Sequence, residues 1–313
     1  MEGVAGRLDR PVLAGVAEIA RARWGTVRYR YRLGASLTGY AITAFMGWYL
    51  LTHHPGWAGR DIDLWLRVGG DVRAGTSPYG DAGLGTTFYY APPWALLWGA
   101  TTWIGKPLTW ALVALAEILA LRYIAGSWLR VGYFGLCFLT GAEIVSGAFN
   151  LVVAAGLAAA VRGDSRLAAF AALAKLSPAF AIREIRGPAI VLAVAVLATV
   201  PMLGWWADWL AALARAPTEQ AALGYHEIPL AGRAILAVAI LALWRSPRAG
   251  VLAAAVAIPG LYAISVVLLY ALVAQPAAEM AHGTSGTVDA RRRSPMLTGR
   301  WGVNVSSGRV RFG

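Results

Sequence analysis

Long apolar stretches, separated by short joints that carry arginine, glycine and proline, most limit what this chain can fold into. Hydrophobic residues make up 58% and charged residues only 14% of the 313 residues, whereas an average soluble domain contains about 25% charged residues. A helix needs about 20 predominantly apolar residues to cross the hydrocarbon core of a bilayer. The pattern therefore predicts an all-α protein, a polytopic transmembrane bundle of about 7–9 spans, and argues against an ordinary cytosolic enzyme.

The net charge of +12 does not indicate a nucleic-acid-binding protein. Such proteins gather Lys and Arg on one basic face, but here the cations lie in joints and tails between apolar runs. The single cysteine, Cys137, excludes an internal disulfide and a cysteine-based zinc site. Membrane lipids are therefore the expected surroundings of this chain, and nucleic acid is not an expected partner.

The distribution of arginine sets the expected orientation in the membrane. Residues 1–33 contain seven arginines and no apolar core of a signal peptide, which predicts a basic cytoplasmic N-terminal segment. Residues 34–52 form the first predicted span. Two outer loops are then expected on the extracytoplasmic face, an acidic one at 53–92 and another at 205–229. The expected location is the bacterial plasma membrane, with the N-terminus in the cytoplasm.

One apolar segment is expected to turn back inside the membrane. Residues 167–182 are interrupted by Lys175 and Pro178 and lie between two basic joints, the first at 162–166 and the second at 183–186. Two re-entrant legs of eight residues, each about 12 Å long, would leave both joints in the cytoplasm, and non-helical backbone at that depth has to line a polar cavity. Residues 34–274 are thus read as the transmembrane domain, and the Gly-, Ser- and Arg-rich residues 275–313 as a disordered basic tail.

A second short apolar segment, residues 91–104, precedes the predicted span at 108–125. It is too short to cross a bilayer and contains two prolines and three tryptophans. Tryptophan is enriched at membrane interfaces. The segment therefore predicts a helix that lies in the interface, with Trp94, Trp98 and Trp103 as anchors.

Asp61 and Asp63, in the first outer loop, are the leading candidates for catalytic groups. Acids at a membrane edge are costly to keep and are functional candidates by default. Two other interpretations stay open, since both can be solvated loop acids, and Asp61-Ile-Asp63 also has the Asp-x-Asp form of a metal site. No metal is expected, because the strand pattern of soluble nucleotide-sugar enzymes is missing around it.

Three motifs carry a family resemblance. Asp61 is followed by Trp65, Gly75, Tyr79 and the run Phe-Tyr-Tyr-Ala-Pro-Pro at 88–93. This run resembles the first outer loop of glycosyltransferase family 87, the membrane mannosyltransferases of the GT-C class. The sequence Gly-Ala-Phe-Asn-Leu at 147–151 is similar to the family turn Gly-Gln-Val-Asn-Leu, and Lys-Leu-Ser-Pro at 175–178 to the family turn Lys-Pro-x-Pro. The motifs occur in family order.

The resemblance implies a GT-C-like fold and an inverting sugar transfer. The donor would be a polyprenyl-phosphate sugar, with mannose as the sugar, and the acceptor a glycolipid or an envelope glycan on the extracytoplasmic face; no cofactor is implied. The site residues it implies are Asp61 as general base with Asp63 as fallback, Lys175, Asn150 and His226 for the donor and its phosphate, and Trp65, Tyr79 and Tyr90 around the sugar.

Other functions also fit this sequence. A secondary transporter or a lipid flippase has many spans, broken helices and a lysine at mid-depth. Lys175 can alternatively extend its ammonium to an interface without meeting phosphate. A C-terminally truncated, inactive homologue that serves as a membrane scaffold is a further alternative.

Overall fold

The computed structural model describes residues 27–80, 87–222, 230–258 and 263–275. Within these ranges every regular element is helical and no strand occurs, which confirms the all-α prediction. The α-helices are α1 Val27–His53, α2 Arg60–Arg73, α3 Pro92–Thr101, α4 Gly105–Ala125, α5 Trp128–Phe134, α6 Phe138–Ser146, α7 Asn150–Val161, α8 Ser165–Ala174, α9 Arg186–Ala198, α10 Leu203–Ala222, α11 Leu230–Leu243 and α12 Pro247–Val256. Four 3₁₀ helices are interspersed, Pro55–Trp57, Ser177–Ala181, Val200–Met202 and Ala263–Val273.

Among the described helices, α4 alone is by itself long and apolar enough to cross a membrane. Two bent helix pairs raise that number to three if each pair is one span, α5 with α6 at 96° and Arg186–Ala198 with Val200–Ala216 at 69°. The helix predicted at 108–125 is therefore present as α4, with the length and composition of a membrane span. The one predicted at 34–52 lies within α1, which is not among the helices that meet the criterion.

The two faces of α4 differ in the way a membrane helix requires. Buried residues recur along one face, among them Val113, Glu117 and Leu121. Four leucines on the opposite face are each about half exposed: Leu108, Leu112, Leu115 and Leu119. Because large exposed apolar surfaces mark contacts with a membrane or a protein partner, the leucine face suits contact with lipid.

The break predicted near Lys175 is present. Helix α8 ends at Ala174, Lys175 has an extended backbone with φ −141° and ψ 117°, and the 3₁₀ helix Ser177–Ala181 follows. Pro178 explains the break, because it has no backbone N–H to donate to the carbonyl oxygen of Ala174, four residues earlier, and its ring would clash with that oxygen in a continued α-helix. The Lys175 side chain is half-buried at this break.

The prediction that Trp94 and Trp98 anchor α3 in the membrane interface is wrong. Their side chains are only 2% and 3% exposed and belong to the core, whereas Trp103 is 79% exposed. Helices α2 and α3 approach closely because Gly69 has no side chain, since a Cβ there would lie 2.5 Å from the Trp98 carbonyl oxygen. The tryptophans of α3 are therefore covered by protein.

The second expected outer loop, 205–229, is helical over most of its length. Helix α10 continues to Ala222, and residues 223–229 lie outside the described residues. Trp209 Nε1 donates a hydrogen bond to the Tyr89 carbonyl oxygen at 2.8 Å, and Arg215 Nη2 to that of Tyr79 at 3.1 Å. Helix α10 thereby holds the segment before α3. The predicted tail lies outside the described residues apart from Gln275.

Candidate active site

Asp61 and Asp63 lie in the first turn of α2 but face different surroundings. The turn is fixed by Gly59, whose positive φ of 63° allows its N–H to reach the Val145 carbonyl oxygen at 2.9 Å. Asp61 is half-buried, whereas Asp63 is exposed and pairs with Lys106 at 2.8 Å. The inward position makes Asp61 the better candidate for a base, and Asp63 is part of a surface ion pair.

The turn between α6 and α7 brings Asn150 to Glu143. Gly147 and Phe149 both have positive φ, 71° and 65°, a conformation that costs a non-glycine residue roughly 1–2 kcal/mol. The reversal lets Glu143 accept two hydrogen bonds from Asn150, one from the backbone N–H and one from Nδ2 at 3.0 Å. A carboxylate at a helix N-terminus is stabilised by the N–H groups that have no partner within the helix.

Lys175 completes this chain of contacts. Its Nζ donates to Oδ1 of Asn150, so the amide presents its nitrogen to Glu143 and its oxygen to Lys175. The backbone N–H of Ala91 donates to the Leu173 carbonyl oxygen at 2.8 Å, which ties the segment before α3 to the end of α8. The break after α8 thus places the ammonium beside the start of α7.

Asp61 and Tyr90 interact electrostatically with the group formed by Glu143, Asn150 and Lys175. Burial raises the pKa of Asp61 above its ordinary value, and the positive charges of Lys175 and Arg60 partly oppose this rise. Tyr90 interacts with Asp61 and donates a 3.4 Å hydrogen bond to the Ala148 carbonyl oxygen. The polar cluster therefore consists of Asp61, Tyr90, Glu117, Glu143, Asn150 and Lys175. A carboxylate with a raised pKa suits general-base catalysis near neutral pH.

Glu117 and Glu143 were not among the residues that the sequence predicted. Both are 0% exposed. Neither carboxyl oxygen of Glu117 has a hydrogen-bond partner of regular geometry among the described residues, and its carboxyl lies beside those of Glu143 and, farther off, Asp61. The available signal was an acidic residue inside an apolar run, which in a membrane segment is a functional candidate by default.

Trp65 and Tyr79 lie in the core beside the polar cluster. Trp65 is 1% exposed and stacks on Trp98, with ring centroids 4.0 Å apart and an angle of 8°. Tyr79 is also buried and donates a hydrogen bond to the Tyr90 carbonyl oxygen at 2.8 Å. Trp65 thus offers a sugar no accessible ring face, contrary to the prediction, and Tyr79 positions the backbone of Tyr90.

His226, the remaining predicted site residue, lies outside the described residues. Within the described ranges, no group of three or more His, Cys, Asp and Glu side chains is arranged to hold a metal ion. Asp61 and Asp63 do not converge on one point, since Asp63 is directed to Lys106. The Asp-x-Asp pattern is therefore not arranged as a pair of metal ligands.

Phe149, the residue before Asn150, is one of the residues that line an apolar cavity of about 210 Å³. Its walls come from α3, α4, α7 and α8 and include Trp94, Val153 and Phe170. Tyr123 and Phe170, both in the wall, are at least 40% exposed, so the cavity reaches the surface. Its lining and its opening suit a hydrocarbon chain.

Asp61, Tyr90, Asn150 and Lys175, predicted from three separate motifs, are brought together in the polar cluster. Glu117 and Glu143 join them from α4 and α6, two mostly apolar helices. Helix α2 carries the candidate base, and the two turns at 147–149 and 175–178 carry the amide and the ammonium. No protein-family model, curated protein or solved structure matches this chain.

Proposed function

We propose that this protein is an integral membrane glycosyltransferase that moves mannose from a polyprenyl-phosphate donor to a glycolipid or envelope-glycan acceptor. The observation that carries this proposal is the convergence of Asp61, Asn150 and Lys175 in one polar cluster. These residues belong to the three motifs that resemble glycosyltransferase family 87. A GT-C-like arrangement of seven to nine spans in the bacterial plasma membrane, with the cluster on the extracytoplasmic side, is part of this proposal.

In the proposed reaction Asp61 takes the proton of the acceptor hydroxyl. The acceptor oxygen then attacks the anomeric carbon from the side opposite the phosphate, and the sugar–phosphate C–O bond breaks with its electron pair going to the phosphate. The product is a glycoside of inverted configuration. General-base assistance of this kind contributes about 10²–10⁴-fold to the rate.

Lys175 is suited to stabilise the departing phosphate. An ammonium is a compact charge with three donors, and preorganised positive charge on a developing anion in a water-poor site is a large catalytic effect. Asn150 holds that ammonium by its side-chain oxygen. In this mechanism Asn150 is a positioning residue and Lys175 contacts the donor.

The apolar surfaces support a lipid-linked donor. Phe149 in the cavity wall directly precedes Asn150 of the polar cluster in the chain, so a lipid whose phosphate lies at Lys175 would have apolar surface nearby for the first part of its chain. The exposed leucines of α4 would face the remaining lipid.

The proposal is tested with purified protein, labelled polyprenyl-phosphate mannose and membrane lipids. We expect Asp61→Asn to lower transfer at least 100-fold, because the amide cannot accept the proton. The matched variant Asp63→Asn, two residues away on the same helix, should retain transfer. Equal activity of wild type and Asp61→Asn would contradict the assignment, and so would a loss confined to Asp63→Asn.

A proton-linked transporter or lipid flippase is the second candidate function. The buried Glu117, halfway along α4, favours it because acids within membrane spans mark proton relays. This function is favoured if wild type transfers no sugar but moves protons in proteoliposomes, and if Glu117→Gln abolishes that proton movement. If neither activity is found, the inactive homologue becomes the better explanation.

A further inference from the structure

Two carboxyl groups that the proposed mechanism does not use are buried side by side. Glu117 lies in the middle of α4 and Glu143 in the last turns of α6, and both are 0% exposed. Both oxygens of Glu143 accept hydrogen bonds from Asn150. Glu117 has no such donor among the described residues, although it lies beside Glu143 and the backbone of Leu151. Within the described part of the chain, the Glu117 carboxyl thus lacks the well-aligned donors that hold both oxygens of Glu143.

The charges of the polar cluster do not suit an anionic ligand if every acid is ionised. Asp61, Glu117 and Glu143 would then carry three negative charges against the single positive charge of Lys175. Adjacent carboxylates that share a buried site do not both ionise. A proton on Glu117 would remove one negative charge, and its O–H would donate to a free lone pair of Glu143.

We propose that Glu117 and Glu143 share one proton in the state that binds the donor phosphate, and that loss of this proton at high pH expels the donor. The proton comes from water and is held on a carboxyl oxygen, and no bond to the donor forms or breaks. This inference rests on the proposed function for the identity of the ligand, a lipid phosphodiester. The shared proton itself is a property of the free protein.

Other titratable and charged groups face the pair from the surrounding elements. Asp61 comes from α2, Tyr90 from the segment before α3, and Lys175 from the break after α8. Tyr270, in the 3₁₀ helix Ala263–Val273, interacts with Glu143 and with Cys137. Asp61 and Lys175 titrate in their own right, so the experiment has to separate them from the pair.

The inference predicts the direction of a pH effect on donor binding. Removal of the shared proton adds a negative charge next to the phosphate, so affinity falls as pH rises, by up to tenfold per pH unit for one proton. Glu117→Gln imitates the protonated state, because its amide is neutral at every pH and its N–H₂ group can donate to Glu143. A protein with Glu117→Gln should therefore keep at high pH the affinity for the donor that the same protein with Glu117 shows only at low pH.

The probe is a methyl polyprenyl phosphate, a phosphodiester with a single negative charge that does not titrate. The protein is held in lipid nanodiscs. Affinities of Asp61→Asn and of Asp61→Asn/Glu117→Gln are compared from about pH 5 to about pH 10, because the first substitution removes the titration of Asp61. The two proteins share Lys175, so a difference in their pH dependence comes from the pair. A parallel fall in affinity in both proteins would overturn the inference.

Two further measurements complete the design. The control substitution Asp71→Asn changes a surface ion pair of α2 with Arg67. Added to Asp61→Asn, it should leave the affinity for the probe unchanged at every pH. Infrared spectra of the free protein should show a carboxylic-acid C=O band at neutral pH that is lost in Glu117→Gln, and absence of the band in wild type would refute the shared proton. If the probe binds at no pH while the band is present, the proposed function fails and the shared proton stands.

Discussion

Asn150 connects the negative and positive halves of the polar cluster. Its backbone N–H and Nδ2 donate to Glu143, and its Oδ1 accepts from Lys175. Asn150 is itself 1% exposed, so water cannot readily replace these bonds. The orientation of the amide is therefore fixed by its two neighbours, and the position of the ammonium depends on the amide.

Replacement of Asn150 by alanine should destabilise the protein. Glu143 keeps the backbone donor but loses Nδ2, and Lys175 loses its acceptor, and hydrogen bonds to charged groups contribute about 1.5–3 kcal/mol each. We expect the free energy of unfolding in detergent to fall by about 3 kcal/mol. Glu184→Ala, at an exposed residue, is the control and should change it by less than about 0.5 kcal/mol. Equal stability of the two variants would contradict the bridging role of Asn150.

The pH dependence of sugar transfer should report the surroundings of Asp61. The base acts only when deprotonated, so activity is lost as the pH falls through its pKa, which burial raises and the charge of Lys175 lowers. Lys175→Gln removes the lowering charge, and the acid limb of the pH–rate profile should move to higher pH. Lys106→Gln removes a cation that pairs with Asp63 and should leave the limb in place. An unshifted limb in Lys175→Gln would show that the titrating base is not Asp61.

At the scale of elements, the contact between α2 and α3 places the candidate base. Gly69 on α2 lies against the backbone of Trp98 on α3, where a Cβ would approach the carbonyl oxygen to 2.5 Å, whereas Gly70 has open space around it. Backbone atoms cannot move aside as a flexible side chain can. The two adjacent glycines therefore have different reasons to be glycine.

Alanine substitutions at these two glycines should change stability in opposite directions. Gly69→Ala forces α2 away from α3 and should cost about 1–3 kcal/mol, with a loss of transfer because α2 carries Asp61. Gly70→Ala meets no atom and should stabilise the helix by up to about 1 kcal/mol. Chemical denaturation of both variants in detergent provides the comparison. A neutral Gly69→Ala would mean that the helices are not in direct backbone contact.

The sequence predicted the site residues with distinctive neighbours better than those within uniform apolar runs. Lys175 lies three residues before Pro178 and Asn150 follows a glycine-containing turn, so both occur at helix boundaries. Glu117 and Glu143 lie inside helices. Length and composition already account for these helices as apolar segments, so neither acid stands out. An acid in such a run was the missed signal, because the cost of burying its charge requires a specific partner.

The environment of the tryptophans could not be predicted from composition. An apolar helix face can contact lipid or protein with the same residue types, so composition alone favours an interface for Trp94 and Trp98, whereas Trp98 stacks on Trp65 of α2 and Trp94 packs against Phe149 and Phe170. What decides between the two is the close helix approach that Gly69 permits. That contact joins segments almost 30 residues apart, and local sequence patterns do not report on such pairs.

At the scale of the whole molecule, the polar cluster and the basic joint lie at opposite ends of α7. The helix begins at Asn150 and ends at Val161, about 18 Å away, and Arg162 follows it. Arg162 Nη2 donates to the Tyr123 carbonyl oxygen at 2.9 Å near the end of α4. Cations next to spans favour the cytoplasmic side, so the cluster should lie toward the opposite face.

Cysteine accessibility tests this orientation in intact cells. Cys137→Ser provides a background without the natural thiol, and single cysteines are then placed at two exposed positions, Gly56 before α2 and Glu184 in the second basic joint. A membrane-impermeant maleimide should label Gly56→Cys in intact cells and Glu184→Cys only after permeabilisation, because the proposed topology puts the first outer loop and the second basic joint on opposite faces. Labelling of both from outside would place the joint beside the loop and remove the re-entrant geometry of residues 167–182. Labelling of Glu184→Cys alone would invert the chain and put Asp61 on the cytoplasmic side, where an extracytoplasmic acceptor cannot reach it.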